Sequence, residues 1–253
     1  MVFIKKIFNK KGAYESFKRI RAVLEDTKQM HSINSKTYTK ERHRLHKEIV
    51  RMIEKADSQP KKGKKPAAIL IGGGTASGKT TMRKTIVKNE LNVKKIIATT
   101  VDIDEIKEYI PEYAEYKKSN PAEAARLVHR ESVDIGELLL NRLIKKRKNF
   151  VYESTMSRVR KYKRLVQKLK KHRYEIHVYL VFVPLPVAKE RAKRRAQLTG
   201  RKVPHNVIEN THKLAPRTLK AIKDDVDRYK VYDNQNGMKL IAGNELAQFL
   251  KQK

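Results

Sequence analysis

The sequence predicts a mainly parallel α/β sheet with helices on both faces, preceded by a small helical N-terminal extension. Three observations carry this. Between residues 67 and 241, apolar strand-like runs alternate with amphipathic segments of helical period, as βα units do. The first such run enters Gly72-Gly73-Gly74-Thr75-Ala76-Ser77-Gly78-Lys79-Thr80-Thr81, and Gly73 to Thr80 fits the spacing G-x-x-x-x-G-K-[ST]. A chain of 253 residues can bury one substantial core with something smaller attached. The sheet is therefore of the phosphate-loop NTPase type, over residues 66–253. Residues 1–65 form a basic helical extension and linker.

Residues 14–28 carry Phe17, Ile20, Val23 and Leu24 at helical spacing. Thr39 can cap a second helix whose apolar stripe is Leu45, Ile49, Met52 and Ile53. His43 and His46 on that helix read as solvated or packing residues, since no cluster of metal-ligating partners accompanies them. Residues 59–66, rich in Lys, Pro and Gly, read as a linker. Strands are predicted at 67–71, 95–101, 150–153, 175–183, 228–233 and 239–241. Helices are predicted at 79–89, 122–146, 159–171 and 186–198, with two further pieces before residue 228. In the long helix at 122–146, Leu127, Ile135, Leu138, Leu139 and Leu143 face inward.

The formal charge of +33 is extreme for this length. Such a field accelerates encounter with anions and says nothing about fold. It fits attraction of ATP and an anionic second substrate, nonspecific nucleic-acid affinity, or simply a Lys-rich proteome. The absence of cysteine excludes disulfides and thiolate metal sites. No apolar run is long enough to span a bilayer and the N-terminus lacks a signal-peptide core, so a soluble cytoplasmic protein is expected.

Ligands of a parallel α/β sheet bind beyond the carboxyl ends of its strands, which selects the polar residues to weigh. In the glycine loop, the backbone amides of Gly73, Gly74, Thr75, Ala76, Ser77, Gly78 and Thr81 and the helix N-terminus can cradle a phosphate. Lys79 reaches its terminal oxygens, and Thr80 places a hydroxyl on magnesium. Phosphoryl transfer also needs a base for the attacking hydroxyl and cations over the transferred group. Asp102 and Asp104 end the second strand. Asp104 can accept the hydroxyl proton, while Asp102 is either the cap of the next helix or an outer group of the magnesium site. Glu153 and Thr155 end the third strand, where a carboxylate and a hydroxyl suit an acceptor. The blander reading makes them a surface turn with a helix cap. Arg191, Arg194 and Arg195 share a helix from which an arginine can close over the nucleotide.

These residues resemble the zeta toxin kinases of bacterial toxin–antitoxin systems. The resemblance rests on the glycine loop and on Val101-Asp102-Ile103-Asp104-Glu105-Ile106-Lys107. It extends to Val128-His129-Arg130-Glu131-Ser132, Val151-Tyr152-Glu153-Ser154-Thr155, Thr199-Gly200-Arg201-Lys202-Val203-Pro204 and Val231-Tyr232-Asp233-Asn234. It implies an ATP- and magnesium-dependent kinase that phosphorylates a hydroxyl of a nucleotide-activated sugar, UDP-N-acetylglucosamine in the best-known members. By position, Lys79 and Thr80 bind ATP and magnesium and Asp104 is the catalytic base. Glu153, Thr155 and Glu131 hold the sugar, and Arg191 and Arg201 contact the phosphates. The shorter spacing between those arginines lets Arg194 or Arg195 take over a role. An antitoxin protein is the implied partner. The alternatives are a phosphate-loop kinase of another acceptor (a nucleic-acid end, nucleoside, dinucleotide cofactor or antibiotic) and an ATP-responsive nucleic-acid-binding protein.

Overall fold

The computed structural model describes residues 25–34, 37–200 and 202–252; the helix predicted at 14–28 lies largely outside them. Five strands run parallel: β1 (Ala67–Gly73), β2 (Thr99–Asp102), β3 (Phe150–Glu153), β4 (Glu175–Phe182) and β5 (Arg228–Asp233). A short β6 (Lys239–Ile241) closes the sheet antiparallel to β5, in the order β2-β3-β1-β4-β5-β6. The central β1 is buried on both faces, as a continuous apolar run requires. Its side chains alternate: Ala68 and Leu70 join one core cluster, Ile69 and Ile71 the other.

The helices are α1 (Thr27–Met30), α2 (Lys40–Ile53), α3 (Lys79–Met82), α4 (Lys88–Val93), α5 (Ile103–Ile106), α6 (Pro111–Ser119), α7 (Pro121–Leu127), α8 (His129–Lys145), α9 (Val159–Lys171), α10 (Leu185–Thr199), α11 (His205–Ile222) and α12 (Gly243–Gln252). Among the described residues, none is long and apolar enough to cross a membrane.

Several predicted boundaries move. The second strand begins at Thr99, because Lys95 takes a left-handed turn (φ 52°) as the chain leaves α4. The helix behind the phosphate loop is interrupted by a π-helical turn, Arg83–Val87, and runs on to Val93. The long helix divides into α7 and α8 at Val128, which is fully buried. Leu138 is 40% exposed, while Leu140 and Ile144 face the core in its stead. On α2, Met52 points to solvent and Val50 is buried, so the inward face is Ile49–Val50 with Leu45 and Ile53 at its sides.

The linker is also less detached than its composition predicts. Ser58 is completely buried; its carbonyl accepts from Asn149 N (2.7 Å) and its hydroxyl from Thr99 Oγ1 (3.1 Å). These bonds tie the end of the extension to the lower ends of β2 and β3. At the other end of α2, Arg42 and His46 reach Glu131 on α8. The extension is thus anchored to the sheet domain at both ends of α2.

Candidate active site

The strand register assembles the site. Ile71 pairs with Glu153 and Asp102 pairs with Glu153, so the ends of β2, β3 and β1 lie side by side where the glycine loop begins. Gly73 has φ 148° and Gly78 has φ 98°, backbone regions that side-chain-bearing residues rarely adopt. Space imposes the same limit: a Cβ on Gly73 would strike the Val181 carbonyl, and one on Gly74 would enter the His212 ring.

The loop is held from outside by two later segments. His212 Nε2 lies 2.8 Å from the Thr75 carbonyl, and Thr75 N donates to Thr211 Oγ1 at 3.0 Å. Asn234 Nδ2 donates to the Ser77 carbonyl at 2.8 Å. Lys79 Nζ donates to the Gly74 carbonyl at 2.9 Å, so the ammonium spans the loop's mouth. Burial pushes the Lys79 pKa down; Glu153 and Asp104 oppose that, and the nearby charge of Arg195 adds to it.

Behind the loop lies a compact acid cluster organised by Arg83. Its Nε donates to Glu153 Oε2 at 2.8 Å, and its Nη2 to Asp102 Oδ2 at 3.2 Å and Glu105 Oε1 at 2.6 Å. The other Glu153 oxygen accepts from Thr80 Oγ1 at 2.7 Å. Asp102 caps α5 by accepting from Asp104 N at 2.9 Å. Burial pushes its carboxyl up to about 6, reinforced by the charge of Glu153. Asp104 stands in the first turn of α5, its side chain 47% exposed, with Oδ1 accepting from the buried Lys107 at 2.9 Å.

The Thr80 hydroxyl and the Glu153 carboxylate are hard oxygen donors in mutual reach beside the phosphate loop. That donor set suits magnesium, which takes one or two protein oxygens and completes its shell with phosphates and water. Thr80 would be the direct ligand, with Glu153 beside it.

Comparison with known proteins fits this geometry. The family model described as Zeta toxin matches residues 51–245. The chain belongs to the zeta toxin family. Toxin PezT of Streptococcus pneumoniae serotype 4 is 27% identical over 133 residues, 53% of this chain and 51% of that protein. The chain thus spans about half the length of this curated relative. The structure of the PezAT chromosomal toxin–antitoxin system of S. pneumoniae is similar with a TM-score of 0.62 at 19% identity, covering 79% of this chain and 81% of that one. The AvrRxo1-ORF1:-ORF2 structure with ATP is similar with a TM-score of 0.68 at 16% identity, covering 90% and 81%. At these identities the structures show a shared fold.

Not every residue suggested by the zeta toxin resemblance lies in the cluster. Glu131 is fully buried, with Arg42 Nε and His46 Nε2 at 2.5 and 2.7 Å from its Oε1. Its assignment to the acceptor is therefore corrected: both its oxygens already bind the extension, and no surface remains for a substrate. Arg191 Nη2 donates to the carbonyls of Asn234 (2.9 Å) and Gln235 (3.1 Å). It braces the segment that holds Ser77, whereas Arg195 is the arginine whose charge Lys79 feels. Thr155 is half-buried beyond β3 with its hydroxyl 2.9 Å from Ser157 Oγ. Arg201 lies outside the described residues.

Sequence reasoning missed Arg83, Lys107, Thr211 and His212. Arg83 stands four residues after Lys79, and that helical spacing was a usable signal. Nothing local marks Thr211 or His212, which meet the loop only through the packing of α11. We expect Arg83→Gln to weaken magnesium-dependent ADP binding by about 10–100-fold, the usual scale for a group that orients a metal's neighbours. Titrating magnesium at fixed ADP reads this directly.

Proposed function

We propose that this zeta toxin family protein is an ATP- and magnesium-dependent kinase acting in the cytoplasm on a hydroxyl of a nucleotide-activated sugar of the UDP-N-acetylglucosamine type. In this reading it is the toxin of a toxin–antitoxin pair. Residues 66–253 carry the chemistry, and the described residues of the extension, 25–34 and 37–65, brace it. One observation carries the kinase reading: the phosphate loop, with Lys79 across its mouth, adjoins an acid cluster beside which stands the half-exposed Asp104. Toxin PezT and the PezAT system support the toxin assignment by family, and the AvrRxo1 structure with ATP supports the donor.

The loop amides and the Lys79 ammonium bind the phosphate oxygens and hold the terminal phosphoryl group still. Asp104, kept in place by Lys107, accepts the acceptor's hydroxyl proton as the oxygen attacks in line. Arg195 offsets the charge spreading over the transferred oxygens, and the family resemblance assigns Arg191 and Arg201 to the same task. Thr80 would hold magnesium, which would supply positive charge to the nucleotide phosphates. Arg83 fixes Glu153 and Asp102, and Glu153 keeps Thr80 oriented; Thr155 lines the acceptor side.

A panel of acceptors with labelled ATP tests the proposal. Transfer to UDP-N-acetylglucosamine is expected. Transfer to a 5′-hydroxyl oligonucleotide, a nucleoside or a dinucleotide with none to UDP-sugars would discard the sugar assignment while leaving the kinase. Lys79→Met is expected to cost about 10²–10³ or more in rate, the scale of one preorganised donor to a transition-state anion. Undiminished transfer by that variant would remove the phosphate loop from the mechanism.

A further inference from the structure

The proposed kinase site leaves most of the positive charge unexplained. The chain carries 60 Lys and Arg against 27 Asp and Glu. Many described cations are nonetheless spent within the fold: Arg42 on Glu112 and Glu131, Arg83 on three carboxylates, and Lys148 on Glu54. One region differs. Between α8 and α9 runs an open groove of about 500 Å³ whose lining includes Arg158, Arg160 and Arg164. All three are exposed, and among the described residues no carboxylate is paired with any of them. Glu137, the groove's acid, is bound to Lys161 at 2.8 Å, and Lys168 is held by Asn141 at 2.6 Å.

The pattern has a simple cause. α9 buries Tyr162, Leu165, Val166 and Leu169 on one side, which places the intervening basic residues of its 13-residue span on the other. Arg160 and Arg164 are four apart, so they share one face of a helix about 20 Å long, and Arg164 Nε donates back to the Arg160 carbonyl at 3.4 Å. Arginine forks match phosphate oxygens in a bidentate way that lysine does not. The groove's lining includes no aromatic side chain on which an unpaired base could stack. A repeating phosphate backbone with its bases already paired is the partner these features fit.

We propose that the α8–α9 groove binds the phosphate backbone of double-stranded nucleic acid, independently of sequence and of the phosphate-loop chemistry. Arg158, Arg160 and Arg164 make the contacts, and the paired Lys161 and Lys168 add a background field. Such binding concentrates the protein on nucleic acid without making nucleic acid its acceptor.

The test uses the full chain and a fluorescent duplex of arbitrary sequence, about two helical turns long, with binding followed by anisotropy over a series of salt concentrations. Binding that weakens log-linearly with salt is expected. The triple variant Arg158→Gln, Arg160→Gln, Arg164→Gln should bind at least about tenfold more weakly and lose about 2–3 from the salt slope, near 0.9 per phosphate contact. A second triple variant, Arg44→Gln, Lys47→Gln, Arg51→Gln, removes equal charge from the exposed side of α2 and should change affinity much less. Far-ultraviolet circular dichroism checks that both variants are folded. Equal losses in the two variants would mean that net charge alone binds, and the proposal fails. It fails equally if the duplex does not bind at moderate salt, or if single strands or anionic phosphatidylserine vesicles bind more tightly than duplex. None of these readouts depends on phosphoryl transfer, so the kinase reading stands or falls separately.

Discussion

Asp104→Ala is expected to lose about 10²–10⁴ of the phosphoryl-transfer rate while still binding nucleotide, the range for removing a positioned base. The geometry separates the two effects. Asp104 is not part of the glycine loop, and its carboxylate accepts from Lys107, three residues further along the same helical segment. Its backbone amide, not its carboxylate, serves the Asp102 cap, so the cap survives the substitution. The loss should therefore fall on kcat and leave the dissociation constant of magnesium–ADP nearly unchanged. Asp104→Asn, which keeps the shape and loses the basic oxygen, should be almost as slow. If either variant turned over at the native rate with every accepted substrate, Asp104 would not be the base.

Arg42→Ala is expected to destabilise the protein by about 3–5 kcal/mol, the scale for stripping one partner from a buried ion pair. Arg42 donates twice to Glu131 (2.5 and 2.9 Å) and twice to Glu112 (2.9 and 2.8 Å), and Glu131 has no exposed surface. Removing the guanidinium leaves a carboxylate sealed away from water with His46 and Thr27 beside it and no full positive charge to match it. For a domain of this size the melting temperature should fall by about 6–20 °C. Replacing Arg42 and Glu131 together by apolar residues should cost less than Arg42→Ala alone, because no orphaned charge remains.

The same pair predicts an acid limb. Burial pushes Glu131 and Glu112 up, but hydrogen bonds from His46, His31 and Arg42 outweigh it and hold both at about 2, below the ordinary 4.5. A depressed carboxylate stabilises the fold above its unfolded value, and that stabilisation is lost as pH falls from about 5 towards 2. Urea unfolding at about pH 7 and pH 4 reads both effects. The native chain should weaken on acidification and Arg42→Ala should weaken less steeply. A cost under about 1 kcal/mol near neutral pH, or an unchanged pH slope, would show that the extension is not anchored through these ions.

Much of the architecture was legible because local rules acted alone. The run from Ala67 to Ile71 reads as a buried strand, and β1 is buried over its whole length to Gly73; the spacing of the glycines after it reads as a phosphate loop. Asp102, Asp104, Glu153, Thr155, Asp233 and Asn234 stand out as polar residues at or just past a strand's carboxyl end, and the fold brings Asp102 and Glu153 into register and sets Asn234 against the loop. Boundaries failed where packing outvoted pattern. Val128 breaks a helix whose periodicity runs straight through, and Leu138 gives its place to Leu140.

What the sequence determined by itself was the parallel sheet, the phosphate loop and the family, because βα alternation, the spacing of one glycine segment and a set of motifs along the chain are all written in linear order. The tertiary structure decided how charges far apart in the chain are matched. It drew Glu131 into the anchor of the extension, set Arg83 across three acids, and brought Thr211, His212 and Asn234 against the loop. It also left Arg158, Arg160 and Arg164 without an acid among the described residues. The physical reason is common to all of these. A side chain's partner across the fold depends on the packing of helices separated by up to about a hundred residues or more, and no local pattern records it.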